Sequence, residues 1–350
     1  MTPLILTALA DLQTLTCDCI IDVRAPAEYA EDHIPGAINL PVLSDAERAE
    51  VGTIYTQDSP FRARRIGAAL VAHNAAQHLR GPLSDKQGSW QPLVYCWRGG
   101  QRSHAFATIL DQVGWRVQLL QGGYKSYRSE VVKALYELPL PHRLMLIDGG
   151  TGTGKTAILH ELAKQGAQTL DLEGLAAHRG SLFGGTGQKQ PAQKMFETRI
   201  ATQLAALDPD KITFAEAESS KVGERMLPPS LWAKMCSAPR IHIHAPLGAR
   251  QEFLIEAYAD LTSDKITMSA LLDKLRPYHA ASRIEGWHAL VQSADWETLA
   301  GALVTEHYDP RYAKSEAQTA RPEHKITLRN LGTAAIARAA ADIMRLPETC

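Results

Sequence analysis

Two glycine-rich turns, each placed where an apolar run gives way to a helical pattern, restrict this chain more than any other feature. The first, Cys96-Trp97-Arg98-Gly99-Gly100-Gln101-Arg102-Ser103, follows an apolar stretch at residues 93–95. The second, Gly149-Gly150-Thr151-Gly152-Thr153-Gly154-Lys155-Thr156, follows residues 144–147 and precedes a helical pattern at 157–164. Strand, GxxxxGK[ST] and helix in that order describe a phosphate-cradling loop. Its backbone N–H groups face phosphate oxygens, and Lys155 adds positive charge at the helix N-terminus. Thr156 stands where a Mg2+ ligand usually sits, so Mg2+ at Thr156 is a possible companion of the phosphate. Alternation of strands with helices predicts a parallel sheet covered on both faces, which makes both halves α/β.

The first third carries short strand patterns at 20–23, 37–40, 93–95 and 117–120, with helical spacing at 61–78 and 105–113. Residues 131–138, stopped by Pro139 and Pro141, read as a connecting helix. Further strands are expected at 169–172, 212–215 and 241–243, and the last hundred or so residues read as mostly helical, for example at 271–279, 287–291 and 334–344. At 350 residues the chain exceeds the ~250 at which a single core usually stops growing. The expected organisation is therefore a domain over 1–130, a linker helix over 131–141, and a phosphate-loop domain with a helical C-terminal part over 142–350. The start of the chain has no basic segment and its apolar stretch stops at Asp11, so neither a signal peptide nor a membrane span is expected. Five cysteines, an odd number, fit reduced thiols and a cytoplasmic location, with Cys17 and Cys19 at a strand edge rather than in a metal site. A formal net charge of −1 supplies no bulk attraction to nucleic acid. Binding to one would fall to local clusters such as Arg62, Arg64, Arg65 or Lys125, Arg128, Lys133.

The cysteine turn has the elements of a thiolate site. Cys96 falls between strand and helix, Arg98 and Arg102 are near in sequence, and Gly99 and Gly100 let backbone N–H groups curl around a sulfur or an oxyanion. With Ile21-Asp22-Val23-Arg24, Glu28-Tyr29, the run His33 to Pro41, and Gly122-Gly123, residues 1–130 resemble a rhodanese domain. In that family the cysteine carries sulfur as a persulfide. Arg102 comes six positions after Cys96, whereas sulfur-carrying rhodaneses usually place this arginine at five. The longer spacing is that of the related phosphatases and suits a larger anion, so a phosphatase remains an alternative.

In the second half, a strand at 212–215 runs into Glu216-Ala217-Glu218-Ser219 without the Asp that holds Mg2+ in ordinary nucleotide hydrolases. Diphosphate binding is expected from the loop; ATP hydrolysis is not. The polar segment from Asp171 to Gly184, the run Gln190-Pro191-Ala192-Gln193, Phe196-Glu197 and Tyr308-Asp309-Pro310-Arg311-Tyr312 resemble the tRNA 2-selenouridine synthase family over essentially the whole chain. Ala217 stands where an acidic residue is expected between the two glutamates. The resemblance implies an enzyme that replaces the sulfur of 5-substituted 2-thiouridine at the wobble position of tRNA with selenium. It further implies S-geranylation by geranyl diphosphate, then displacement by selenium from selenophosphate. Cys96 with Trp97 to Ser103 would bind the selenium donor, and Gly149 to Thr156 the diphosphate. His178, Arg179, Phe183, Glu216 and Glu218 are candidates for tRNA or prenyl contacts. Three other readings stay open: the phosphatase, a P-loop kinase or ATPase with a regulatory rhodanese module, and a noncatalytic sulfur-relay adaptor.

Overall fold

A computed structural model describes residues 1–185, 187–316 and 323–346. It divides into two compact units. The first gathers Met1–Leu140 with Gln190–Ala206 and Leu227–Ser230, and the other described residues form the second.

The first unit is built on five parallel strands: β1 (Thr2–Leu4), β2 (Cys19–Asp22), β3 (Ala37–Asn39), β4 (Pro92–Tyr95) and β5 (Gln118–Leu120). Their order is β1-β5-β4-β2-β3. Ile21, Val23, Val94, Phe106, Leu110 and Trp115 form its buried core. Two helices that abut in sequence, Asp45–Gln57 and Pro60–Arg80, are fixed at their starts by caps. Ser44 and Glu47 form a reciprocal capping box, and Ser59 caps a helix that has proline at its first position. The helix Asp45–Gln57 has no fully buried residue. It therefore lacks the apolar stripe on which periodicity depends, and its capping box was its one sequence signal.

Behind β4 lies a buried ion pair. Arg24 and Asp22 are 1% and 0% exposed. Arg24 donates to Asp22 at 2.6 Å and to the Asp32 carbonyl at 2.6 Å, while its guanidinium lies 3.9 Å from the centre of the Tyr124 ring. Tyr124 in turn donates to the buried Asp32 carboxylate at 2.7 Å. The helix Gln193–Ala206 completes this unit although its sequence follows the phosphate loop. Thr198 donates to Asp32 at 3.0 Å, Arg128 pairs with Glu197, and Tyr136 donates to Glu197 at 2.7 Å. Arg128, counted above in a basic cluster, is turned inward by that pairing.

The second unit is also a five-stranded parallel sheet. Its strands are β6 (Arg143–Asp148), β7 (Gln168–Leu170), β8 (Ile212–Glu216), β11 (Arg240–His244) and β12 (Glu323–Thr327), in the order β12-β11-β6-β8-β7. Lys221–Val222 (β9) and Arg225–Met226 (β10) form a small antiparallel ladder. A separate helical cluster is centred on Phe183, Met268, Leu272, Trp287 and Leu303. Both units are α/β, as expected. Two boundaries differ from the sequence reading. The strand expected over 169–172 ends at Leu170, because the Asp171 side chain accepts from the Gly174 N–H at 2.7 Å and starts a helix. The helix expected over 131–138 is the tail of one that begins at Gly123 and continues as a π-turn, Lys133–Glu137. Among the described residues no helix is long and apolar enough to cross a membrane.

Removing Arg24 leaves the Asp22 charge buried and uncompensated, which typically costs about 3–5 kcal/mol. Arg24→Met is accordingly expected to lower the stability of the first unit by that amount in urea unfolding followed by tryptophan fluorescence. A loss below about 1 kcal/mol would place the stabilisation elsewhere.

Candidate functional site: two anion loops

Each loop occupies the turn between a strand and the following helix. In the first unit β4 delivers Cys96, and the helix Gln101–Val113 starts after Gly100. The Gly100 N–H donates to the Cys96 Sγ at 3.2 Å and the Ser103 hydroxyl donates to it at 3.1 Å. The loop's own carbonyls are satisfied from the next helix, through Tyr124 N–H to Cys96 at 2.8 Å and Lys125 N–H to Trp97 at 2.9 Å. Such close approach explains Gly122-Gly123. At Gly123 φ is +62°, and a Cβ would overlap the Cys96 carbonyl oxygen.

The arginines stand differently from the simplest expectation. Arg98 is exposed. Arg102 is held by Glu28 at 2.7 Å; burial pushes that carboxyl up, but the Arg102 guanidinium more than offsets it and leaves it below the usual range. The fixed positive group near the loop is thus neutralised by a partner. Trp97 is half-buried, packed on Tyr124 with ring centres 5.2 Å apart. Gln101 is exposed, and Gly99 fits close beneath the Leu120 carbonyl.

In the second unit β6 delivers Gly149–Thr156, and the helix Lys155–Lys164 follows. Gly149, at φ +147°, has no room for a side chain, since a Cβ would lie 2.5 Å from the Ile243 carbonyl of β11. Lys155 folds back on the loop and donates to the carbonyls of Gly149 (2.9 Å) and Gly150 (3.3 Å). Thr153 donates to the Gly150 carbonyl at 2.9 Å. Thr156 donates to Glu173 at 3.1 Å. The loop is held from outside by Arg250, which donates to the Thr151 carbonyl at 2.9 Å and forks onto Asp309 at 2.7 and 3.0 Å. At its root, Asp148 accepts from Arg240 (2.7 Å) and Tyr312 (2.9 Å). Burial alone would raise the Asp148 carboxyl, but these two donors hold it below the ordinary range.

Two cavities meet at this loop. A polar one is lined by Lys155, Thr156, Glu173, His178, Arg179 and Glu218, among others. An apolar one is lined by Phe183, Leu254, Met268, Trp296, Leu299 and Leu303, among others. Thr151, Leu254, Tyr258 and Tyr308 border both. The structure therefore brings together most of the residues marked from sequence. Phe183 lies in the apolar wall, His178 and Arg179 in the polar one. Arg179 is already engaged, forking onto Asp260 at 3.2 Å and lying over the Tyr258 ring. Burial pushes the His178 imidazole down, which favours the neutral ring. Glu218 lines the polar cavity, and Glu216 is buried at the end of β8. Glu173, Arg250 and Tyr258 were not singled out by sequence. Arg250 lies 99 positions from the loop it holds and stands in no motif that could have marked it.

A rhodanese-like domain model matches residues 6–130, and a model described as the tRNA 2-selenouridine synthase AAA domain matches residues 142–282. A tRNA 2-selenouridine synthase of Nitrosomonas europaea is 34% identical over 81% of this chain and 74% of its own length. The chain belongs to the tRNA 2-selenouridine synthase family. Two further synthases, from Bdellovibrio bacteriovorus (37% identical) and Salmonella arizonae (38%), each match 68% of this chain and 64% and 66% of their own lengths. The two domain models together cover both glycine-rich turns of this chain.

Two outcomes follow from this geometry. Gly123→Ala combines about 1–2 kcal/mol of left-handed strain with overlap on the Cys96 carbonyl. It is expected to destabilise the first unit by more than the strain alone and to change the alkylation rate of Cys96 by iodoacetamide; an unaltered rate would disconnect Gly123 from the loop. In the second unit, burial and then the Arg311 and His279 charges push the His307 imidazole down to about 4. His279 meets it at 2.8 Å, Arg311 lies 2.5 and 2.7 Å from its ring nitrogens, and Arg283 and Glu306 also act on His279. A depressed folded value means the contribution is complete above the unfolded value of about 6.5 and is lost as pH falls towards about 4. Thermal unfolding between those limits should show the midpoint falling with pH, and His307→Gln should flatten that dependence.

Proposed function

We propose that this chain is a cytoplasmic tRNA-modifying transferase that converts 5-substituted 2-thiouridine at the wobble position to 2-selenouridine in two steps. In the first, the 2-thio sulfur attacks the first carbon of geranyl diphosphate; a C–S bond forms, the C–O bond breaks, and diphosphate leaves. In the second, the selenium of selenophosphate adds at C2, the C2–S bond breaks and the geranyl thiol departs, and water attacks phosphorus to break the Se–P bond and release inorganic phosphate. A thiocarbonyl sulfur leaves poorly until it is alkylated, which is the chemical reason for two steps and two anion loops.

The observation that carries this reading is the apolar cavity opening beside the phosphate loop across Thr151, Leu254, Tyr258 and Tyr308. A nucleotide asks for a polar or stacking neighbour to its phosphates, whereas an isoprenyl diphosphate asks for a hydrocarbon slot at that place. The free space of about 70 Å³ is less than a ten-carbon chain needs, so seating one requires the wall to part. Met268, unbranched and flexible, is suited to that. Backbone N–H groups and Lys155 would hold the diphosphate and stabilise its charge as it leaves. In the first unit, Gly100, Ser103 and the rest of the Cys96 loop would receive the selenophosphate anion, with the Cys96 sulfur steering its selenium without a change of oxidation state.

The test is nucleoside mass analysis of 2-thiouridine-containing tRNA after incubation with geranyl diphosphate and selenophosphate. Lys155→Ala is expected to lower geranyl transfer at least 100-fold, in line with the loss of a charge-stabilising donor. Cys96→Ala should leave geranylated tRNA to accumulate without selenouridine. Geranyl transfer that survives Lys155→Ala unchanged would remove the phosphate loop from the first step. Turnover of ATP without any change in tRNA mass would favour the P-loop ATPase instead.

A further inference from the structure

Beside the phosphate loop, three glutamates converge. Glu216 ends β8, which pairs with β6, the strand that carries the loop; Ile147 and Glu216 are opposite one another in register. A tight turn follows, with the Glu218 N–H donating to the Glu216 carbonyl at 2.8 Å. Glu173 comes from the short helix Leu172–Ala176. One carboxylate oxygen from each of the three lies within 4.8 Å of the others. The Thr156 hydroxyl touches the group through Glu173 at 3.1 Å.

Two independent observations mark this as more than an acidic cluster. Glu216 is 1% exposed, yet among the described residues neither of its carboxylate oxygens has a hydrogen-bond partner of ordinary geometry; Thr156 lies close but donates to Glu173. Buried carboxylates are normally hydrogen-bonded, protonated or metal-bound. In addition, Gly180 presses on the cluster at φ +68°, where a Cβ would lie 2.5 Å from Glu173 and 2.9 Å from Glu218. The backbone there approaches the carboxylate oxygens too closely for any side chain at position 180. Lys155 is the nearest opposing charge, and its ammonium is directed to the Gly149 and Gly150 carbonyls. An all-oxygen set of three carboxylates and a hydroxyl is the donor chemistry of a hard divalent cation.

We propose that Glu173, Glu216 and Glu218, with Thr156, form a binding site for one divalent cation of the Mg2+ or Mn2+ class at the flank of the phosphate loop. The cation would relieve the mutual repulsion of the carboxylates in the free protein and offer its open positions to an incoming diphosphate. That last role rests on the function proposed above; the site itself does not. It also accounts for the glutamate where a nucleotide hydrolase has aspartate. The longer side chain of Glu216 reaches its two fellow glutamates, so the metal is held by the protein before phosphate arrives.

The experiment is Mn2+ titration of the full chain, read by the electron paramagnetic resonance of free Mn2+, with no phosphate present. One site per chain is expected, displaced by Mg2+, with affinity at least 10-fold weaker in E216Q and in E218Q. Thermal unfolding supplies a second readout that does not depend on either variant binding metal. In EDTA, E216Q should melt higher than the native chain because a buried like charge is gone, and Mn2+ should raise the melting point of the native chain alone. Equal Mn2+ binding by the native chain and both variants overturns the site. An intact Mn2+ site with no binding of inorganic diphosphate, followed by calorimetry with and without Mn2+, would support the site and overturn the phosphate reading instead.

Discussion

Arg250 sets the geometry on which the second unit's site depends. Its guanidinium is nearly buried and makes three directed hydrogen bonds, one to the Thr151 carbonyl and a fork onto Asp309. A charge in that position must keep all its partners, because losing one leaves it uncompensated in a poor solvent. The demand ties three distant segments together: the tip of the phosphate loop, the helix Leu247–Ala257 and the motif from Tyr308 to Tyr312. Once Asp309 is fixed, Tyr308 borders both cavities and Tyr312 reaches Asp148 at the loop's root. The five-residue motif is thereby a clamp around the loop, with Tyr308 also on the walls of both cavities.

The cysteine loop solves a similar problem without a lysine. Its Cys96 and Trp97 carbonyls are satisfied by the first N–H groups of the helix that starts at Gly123, while the sulfur receives donors from Gly100 and Ser103. Arginine contributes less directly than its closeness in sequence implies. Arg102 is bound to Glu28, and Arg24, which looks unremarkable in sequence, holds up the layer of Tyr95, Trp97 and Tyr124 behind the loop. Both loops thus owe their shape to ion pairs set behind or beside them.

Much of this was legible from sequence because it is local. The strand ends, the two glycine turns and the helices after them are set by residues within a few positions of one another. The same local logic misplaced the end of β7, where an Asp171 cap outweighed the apolar run, gave no sign of β1 or β12, and marked the helix Asp45–Gln57 only by its capping box. Those edge elements have little buried alternation for periodicity to detect. In the site, the loops and Phe183 could be named in advance, whereas Arg250, Tyr258 and the convergence of Glu173 with Glu216 could not. Their partners are distant in sequence, and only the parallel order of β6, β8 and β7 brings those side chains to one end of the sheet.

The helix Gln193–Ala206 carries a different lesson. It is encoded after the phosphate loop but belongs to the compact unit of the cysteine loop, where Thr198 and Glu197 satisfy Asp32, Arg128 and Tyr136. The two units are therefore interleaved in the chain and are not beads on a string. No single cut separates them cleanly, and neither can be exchanged as a cassette for a free-standing relative without stranding buried charges.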